Sequence, residues 1–212
     1  MGAGTGSYEP EGKFVIAVEP SSVMRMKRLS LGKTPALNAR AEDLPFDDGA
    51  FDAVMAVLTI HHWADLEAGL TEVKRVAKKK ITILTYDPNM LNLFWNAKYF
   101  PELIEIERSR YPKLDHIAAC LGKDIKLTKI KIPFDCSDGF QEAFYGRPEA
   151  FLQEEVRNAQ SAWGFLDKEQ ESRYIKRLSE DLASGEWDRL YGFHRRLSEF
   201  EGAFRMVEVD LI

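Results

Sequence analysis

The stretch that most constrains this chain is Gly2-Ala3-Gly4-Thr5-Gly6, GAGTG, with Met1 alone before it. Such a turn ordinarily leaves a buried strand and opens a helix over a nucleotide-like ligand, because glycine lets the backbone come close in conformations other residues avoid. Its form is GxGxG. The dinucleotide fingerprint GxGxxG/A is not met, since Ser7 and Tyr8 follow Gly6. What the turn belongs to must be read from the elements after it.

Those elements alternate. Phe14 to Val18 (FVIAV) is a short apolar, β-branched run that reads as a buried parallel strand ending at Glu19. A helix should follow, capped by Ser21 or Ser22, with Val23, Met24, Met26 and Leu29 on its buried side and Gly32 at its stop. ALNAR, after Pro35, is short enough for an edge strand. Asp43 to Ala50 is a loop, and Phe51 to Leu58 is a strong strand entered by the DDG turn. Asp65 caps a helix whose Leu66, Leu70, Val73 and Val76 share one face, and Lys78, Lys79 and Lys80 close it as cations at the negative end of the helix dipole. Ile81 to Tyr86 is the next strand. The pattern is β-α-β-α with short links, hence a parallel sheet with helices on its faces.

From Asn89 the chain becomes mostly helical. Pro101 to Leu121 is amphipathic, and Lys126 to Phe134 alternates as a half-exposed strand should. Further helices are expected over Ser137–Tyr145, Pro148–Ser161, Lys168–Ala183 and Glu186–Phe200, and AFRMVEVDLI reads as a last strand. With 212 residues, 45% hydrophobic and 30% charged, the chain suits one domain, residues 1–212, with elaborations. A net charge of -5 gives no electrostatic reason to expect a nucleic acid partner. No apolar run nears the roughly 18 residues of a membrane helix. No membrane association is expected, and no basic-then-apolar leader opens the chain. Cys120 and Cys136 lack metal or redox spacing, so a cytoplasmic setting and no metal site are expected.

The acid that ends the first strand raises the weight of the glycine turn. Glu19 lies 17 residues past Gly2, close to the roughly 20 expected for a carboxylate that accepts hydrogen bonds from adjacent ribose hydroxyls. GAGTGSY, then VIAVEPSSVM, then AEDLPFDDGAFDAVMAVLTIHHWADLEAGLTEVKRV, running in order from Gly2 to about Asp87, resembles the class I S-adenosylmethionine-dependent methyltransferases. The resemblance implies a Rossmann-like, doubly wound α/β fold of seven strands, mostly parallel with an antiparallel last strand. It also implies a cofactor-binding half, residues 1–87, and helical insertions with the last strands, residues 88–212, that cover the substrate. S-adenosylmethionine is the implied cofactor. Gly2, Ala3, Gly4 and Gly6 match the turn facing its amino-acid part, and Glu19 with Pro20 matches the ribose site. Met24 matches the apolar residue on the purine, Ala41 and Glu42 stand at the adenine, and Leu58 ends the next strand beside the site.

Departures accompany the match. Arg40 stands where an aspartate often serves the adenine amino group, and a guanidinium cannot accept that bond, so the adenine contact is left to backbone groups and Met24. SYEPEGK is too short for the usual helix after the turn. The strand before the turn is not in the sequence, and a sheet lacking a middle strand leaves unpaired backbone groups at roughly 1–3 kcal/mol each. The expectation is that the sequence is incomplete at its start and after Tyr8, or that a second copy supplies the strand by swapping, which would make a homodimer.

Methyl transfer is an in-line displacement that needs positioning and desolvation, with a base only when the nucleophile arrives protonated. His61 and His62 follow the strand beside the expected site and Asp87 ends the next one; these are the catalytic candidates, against loop packing for the histidines and helix capping for Asp87. Trp95, Tyr99, Phe100, Tyr145 and Trp163 either line an apolar substrate pocket or pack a core. Arg147 either clamps a substrate carboxylate or starts a helix, and His194 has no assigned role. The reading is an enzyme acting on a small-molecule substrate. The alternative is a non-catalytic relative with an impaired cofactor loop, favoured by Arg40 and the clipped segment; a nicotinamide dehydrogenase is a distant third.

Overall fold

The two strands that the sequence marks most strongly pair with each other on one side of the observed sheet, the first of them at its edge. The computed structural model describes residues 1–122 and 125–211. Its regular elements, in chain order, are α1 (Ser22–Ser30), β1 (Phe51–Val57), α2 (Leu66–Val76), β2 (Ala77–Tyr86), α3 (Asn96–Tyr99), α4 (Pro101–Arg110), α5 (Leu114–Leu121), β3 (Ile125–Pro133), α6 (Glu154–Asn158), α7 (Lys168–Ser184), α8 (Glu186–Tyr191) and β4 (Glu199–Asp210). Internal contacts divide the chain into two units. The first is Met1–Tyr86, Tyr111–Thr128 and Arg205–Ile212; the second is Asp87–Arg110 and Lys129–Phe204.

In the first unit β1 runs parallel to β2, with Val54 opposite Ile81 and Ala56 opposite Ile83. The crossover is α2, started by Asp65, whose Oδ1 accepts from the Ala68 N–H at 3.0 Å. Leu70, Val73 and Val76 of α2 pack into one buried cluster with Val54, Ala56, Ile81 and Ile83, with Ile117 and Leu121 of α5, and with Val207 and Val209 of β4. β4 is antiparallel to β2, because the Leu211 N–H donates to Lys79 O while the Asp87 N–H donates to Ala203 O. β3 is antiparallel to β4, with Lys129 on Glu201 and Phe134 N–H on Ser198 O. The strand order is β1-β2-β4-β3.

This is an α/β fold with a mixed sheet of four strands among the described residues, where seven were expected. The segments FVIAV and ALNAR make a single parallel bridge, Val18 to Leu37. Leu37 N–H donates to Ala17 O and Glu19 N–H to Leu37 O, and the ladder goes no further. Burial follows the ladder. Ala17, Val18 and Glu19 are buried while Phe14 is 92% exposed, so the expected buried strand is buried only at its end.

Two more expectations about this unit are corrected. Helix α1 has the expected cap, Ser21 Oγ accepting from the Met24 N–H at 3.3 Å, and Gly32 follows it at φ +71°. Its expected apolar face is outward, with Val23 and Met26 each 72% exposed; the residue it buries is Arg28. That guanidinium pairs with Glu9 at 2.5 Å and donates to the carbonyl and hydroxyl of Thr34, which offsets its desolvation and fixes the non-helical SYEPEGK segment. Lys78, Lys79 and Lys80 do not close α2. Pairing with β1 already begins at Phe51 opposite Ala77, so these lysines lie in β2, with Lys79 on Asp52 and Lys80 on Glu208, both at 2.7 Å.

The second unit folds around aromatic side chains. Trp95, Tyr99, Phe100, Tyr145 and Trp163 are all buried, so packing is the role the structure gives them. Trp95 Nε1–H donates to Tyr145 O at 2.9 Å, its ring meets Trp187 edge-on at 5.4 Å, and Tyr99 O–H donates to Asp181 at 2.8 Å. The amphipathic stretch Pro101–Leu121 forms two helices, α4 and α5, separated at Tyr111-Pro112-Lys113, where proline offers no N–H. The helices expected over Ser137–Tyr145 and Pro148–Ser161 shorten to 3₁₀ turns at Gln141–Phe144 and Pro148–Leu152 and to α6. The one expected over Glu186–Phe200 ends as α8 at Tyr191. α7 forms as expected, with a reciprocal capping box between Asp167 and Gln170. Arg147 donates to Cys136 O and Ala143 O at 2.7 and 2.8 Å, a clamp on its own unit's backbone. Glu142, buried, accepts from the Ala203 N–H with both carboxylate oxygens, at 2.8 and 3.0 Å.

Two stability predictions follow from this packing. A Cβ at Gly202 would lie 2.3 Å from Glu142 Oε1, so Gly202→Ala is expected to cost at least about 2 kcal/mol in urea unfolding; an unchanged midpoint would contradict it. Burial lowers the His194 imidazole to about 4 from 6.5. The unfolded chain then binds the extra proton first, so stability falls as pH drops from about 6.5 toward about 4. Unfolding curves across that window should flatten in His194→Phe.

Candidate functional site

The glycine turn is held between two backbone anchors of the first unit. Met1 N donates to Met55 O of β1 at 2.8 Å, Ala3 N–H donates to Val18 O at 2.9 Å, and Gly6 N–H closes the turn on Ala3 O at 2.9 Å. Gly2, Gly4 and Gly6 have φ of +57°, +50° and +88°. The first and second do different work. A Cβ on Gly2 would sit 1.9 Å from Thr59 Oγ1, so Gly2 exists to let the turn pack on the segment after β1. A Cβ on Gly4 would meet nothing nearer than Met24 Cε at 3.8 Å. Gly4 is therefore the point at which the turn faces open space, with Met24 beside it.

Glu19 organises this end of the unit. Its carboxylate is buried, Oε2 accepting from the Gly4 N–H and Oε1 from the Ser21 N–H, each at 2.8 Å. One acid thereby joins the glycine turn to the start of α1. A carboxylate offers about four lone-pair directions, so each oxygen keeps an acceptor position for a ligand hydroxyl. Pro20 is exposed, and its carbonyl with that of Glu19 accepts from Arg25 Nη1 at 2.7 and 2.8 Å.

Ala41 is buried. Glu42 Oε1 accepts from the N–H groups of Ala64 and Asp65 at 2.7 and 3.2 Å, which ties the 41–43 turn to the loop before α2. Arg40 is exposed and its carbonyl accepts from the Asp43 N–H. Leu58, at the carboxyl end of β1, has φ +50°, the one non-glycine residue in that region among the described residues. That conformation costs roughly 1–2 kcal/mol. Leu58 N–H is held by Leu84 O at 2.9 Å, and the strained residue turns the chain into Thr59 and the 3₁₀ turn Ile60–His62.

His61 is half-buried and His62 exposed. The His61 ring lies 4.2 Å from that of Tyr111 and 3.9 Å from that of His62, and Tyr111 meets Tyr86 edge-on at 5.1 Å. Thr59 and Tyr111 are members of this site that sequence reasoning missed. Thr59 had no motif to announce it, and Tyr111 comes from a distant segment. Asp87 belongs to the second unit, where its Oδ1 accepts from the Asn89 N–H at 3.0 Å; that bond closes a turn.

Comparisons with known proteins bear on the same residues. A sequence profile described as the methyltransferase domain matches residues 1–85. The crystal structure of a candidate methyltransferase from an antibiotic biosynthesis pathway of Anabaena variabilis superposes with a TM-score of 0.91 at 33% identity. That match covers 100% of this chain and 89% of the other. An uncharacterized methyltransferase of Mycobacterium tuberculosis is 34% identical over 103 residues, 46% of this chain. The matched part spans only 39% of that relative's length. A ubiquinone/menaquinone biosynthesis C-methyltransferase of a Geobacter species is 41% identical over 64 residues, 29% of this chain and 27% of its own.

The division of labour between the glycines is testable without a ligand. Both Gly2→Ala and Gly4→Ala carry the cost of a positive φ, about 1 kcal/mol, but only the first drives a methyl into Thr59, adding roughly 1–3 kcal/mol. Gly2→Ala should therefore be clearly the less stable in urea unfolding, and equal midpoints would refute the assignment.

Proposed function

The chain belongs to the class I S-adenosylmethionine-dependent methyltransferases, and on that premise we propose that it transfers the methyl group of S-adenosylmethionine to a small-molecule substrate. The observation that carries the reading is the Glu19 node, a buried carboxylate that fixes the one open glycine of the turn and retains acceptor positions. These residues fit the cofactor's chemistry. Gly4 with Ala3 would take its amino-acid part, Glu19 its ribose hydroxyls, and Met24 with the backbone at Ala41 and Glu42 its adenine. Leu58 would shape the wall beside them. When bound, S-adenosylmethionine supplies an electrophilic sulfonium methyl.

The chain's own part is to orient, exclude water and take a proton where the nucleophile carries one. His61, half-buried against Tyr111 at the carboxyl end of β1, is the base we assign, with His62 beside it. Asp87 is a second candidate whose Oδ1 already holds the Asn89 N–H. A small-molecule substrate is supported by the Geobacter relative, whose named pathway makes ubiquinone and menaquinone. FVIAV and ALNAR stand at the places of two further parallel strands of the family's seven-stranded sheet. Among the described residues no helix is long and apolar enough to cross a membrane, and we place the reaction in the cytoplasm.

The test is calorimetric titration of S-adenosylhomocysteine into the purified chain. Saturable one-to-one binding in the micromolar range is expected, weakened at least about tenfold in Glu19→Ala, a loss of about 1.4 kcal/mol. A folded chain that shows no binding at millimolar ligand would overturn the enzyme reading in favour of a non-catalytic relative. His61→Ala should lower kcat and alter its pH profile while leaving the affinity for S-adenosylhomocysteine unchanged.

A further inference from the structure

Helix α5 carries His116 and Cys120 one turn apart, so both project from the same face. That face meets the first turn of α2, where Glu67 stands. His116 Nε2 lies 2.9 Å from Glu67 Oε1, and one ligand atom from each of Glu67, His116 and Cys120 lies within 4.8 Å of the other two. The core fixes this spacing. Ile117 and Leu121 of α5 are buried in the cluster that also holds Leu70 and Val73 of α2, and Cys120 packs against that cluster. Glu67 and His116 are exposed and Cys120 half-buried, so the three donors sit at the rim of the core with a path to solvent.

We propose that Glu67, His116 and Cys120 form a binding site for a divalent metal ion of the zinc class. A thiolate, an imidazole and a carboxylate together suit a borderline-soft ion and not magnesium or calcium, which prefer all-oxygen shells. Bond lengths of roughly 2.0–2.3 Å in tetrahedral geometry put donor atoms about 3.3–3.7 Å apart. The trio reaches that spacing by drawing in its widest pair about 1 Å and opening the His116–Glu67 contact slightly, which rotations of exposed side chains allow. On binding, the Cys120 thiol proton and any His116 proton are released to solvent, and the ion's fourth position is left to water. The ion would clamp α5 to α2, two segments that the intervening second unit separates in sequence.

The experiment is titration of the reduced, purified chain with Co²⁺ alone, followed by absorbance. The site predicts a thiolate-to-cobalt charge-transfer band and the visible bands of four-coordination, both saturating at one equivalent and both removed by added Zn²⁺. Cys120→Ser should abolish the charge-transfer band, and His116→Ala and Glu67→Gln should each weaken binding at least roughly tenfold. Cys136→Ser, the other free cysteine, should change nothing. Absence of a saturable band, or a band that survives Cys120→Ser, would reduce the cluster to a surface ion pair beside a packed thiol.

Discussion

The first unit turns on one carboxylate. Glu19 holds the Gly4 N–H and the Ser21 N–H at once, so the glycine turn, the single bridge at Val18 and the start of α1 are fixed by the same two oxygens. Remove that acid and two partly buried backbone donors lose their partner together. A second anchor reinforces it from the other side. The fully buried Arg28 gathers Glu9 and Thr34, so a segment too short for a helix is still ordered. The backbone at Gly4 is thus arranged by the same interactions that hold the fold.

The second unit uses the opposite economy, with aromatic mass in place of polar nodes. Its rings meet mostly edge-on, as quadrupoles prefer, and among its buried polar groups Trp95 and Glu142 are tied to backbone while Asn96 donates to the Gln141 side chain. The aromatic residues that suggested a substrate pocket are this core, and Arg147 is occupied by two carbonyls.

Where local chemistry decides, the sequence was readable. Asp65, the α2 face, β1 and the alternation of β3 all follow from caps and periodicity. Where partners come from far along the chain, it was not. Thr59 beneath Gly2, Tyr111 beside His61 and the outward face of α1 depend on contacts that no spacing rule encodes. Lys78 to Lys80 looked like the end of a helix because propensity is blind to the ladder that starts at Ala77. The stretch Pro101–Leu121 broke into two helices at Pro112, which has no N–H to continue the ladder. The identity of the fold came from the ordered string of motifs and not from composition.

The first unit is built from three separate pieces of chain, with the second unit threaded between them. Val207 and Val209 of β4 complete a core begun by Val54 and Ile81, and β4 supplies the neighbour that β2 lacks on one side. During synthesis the edge of β2 therefore stays open until the ribosome has made everything in between. Folding of the first unit is gated by β4, and the helices of the second unit have time to settle first.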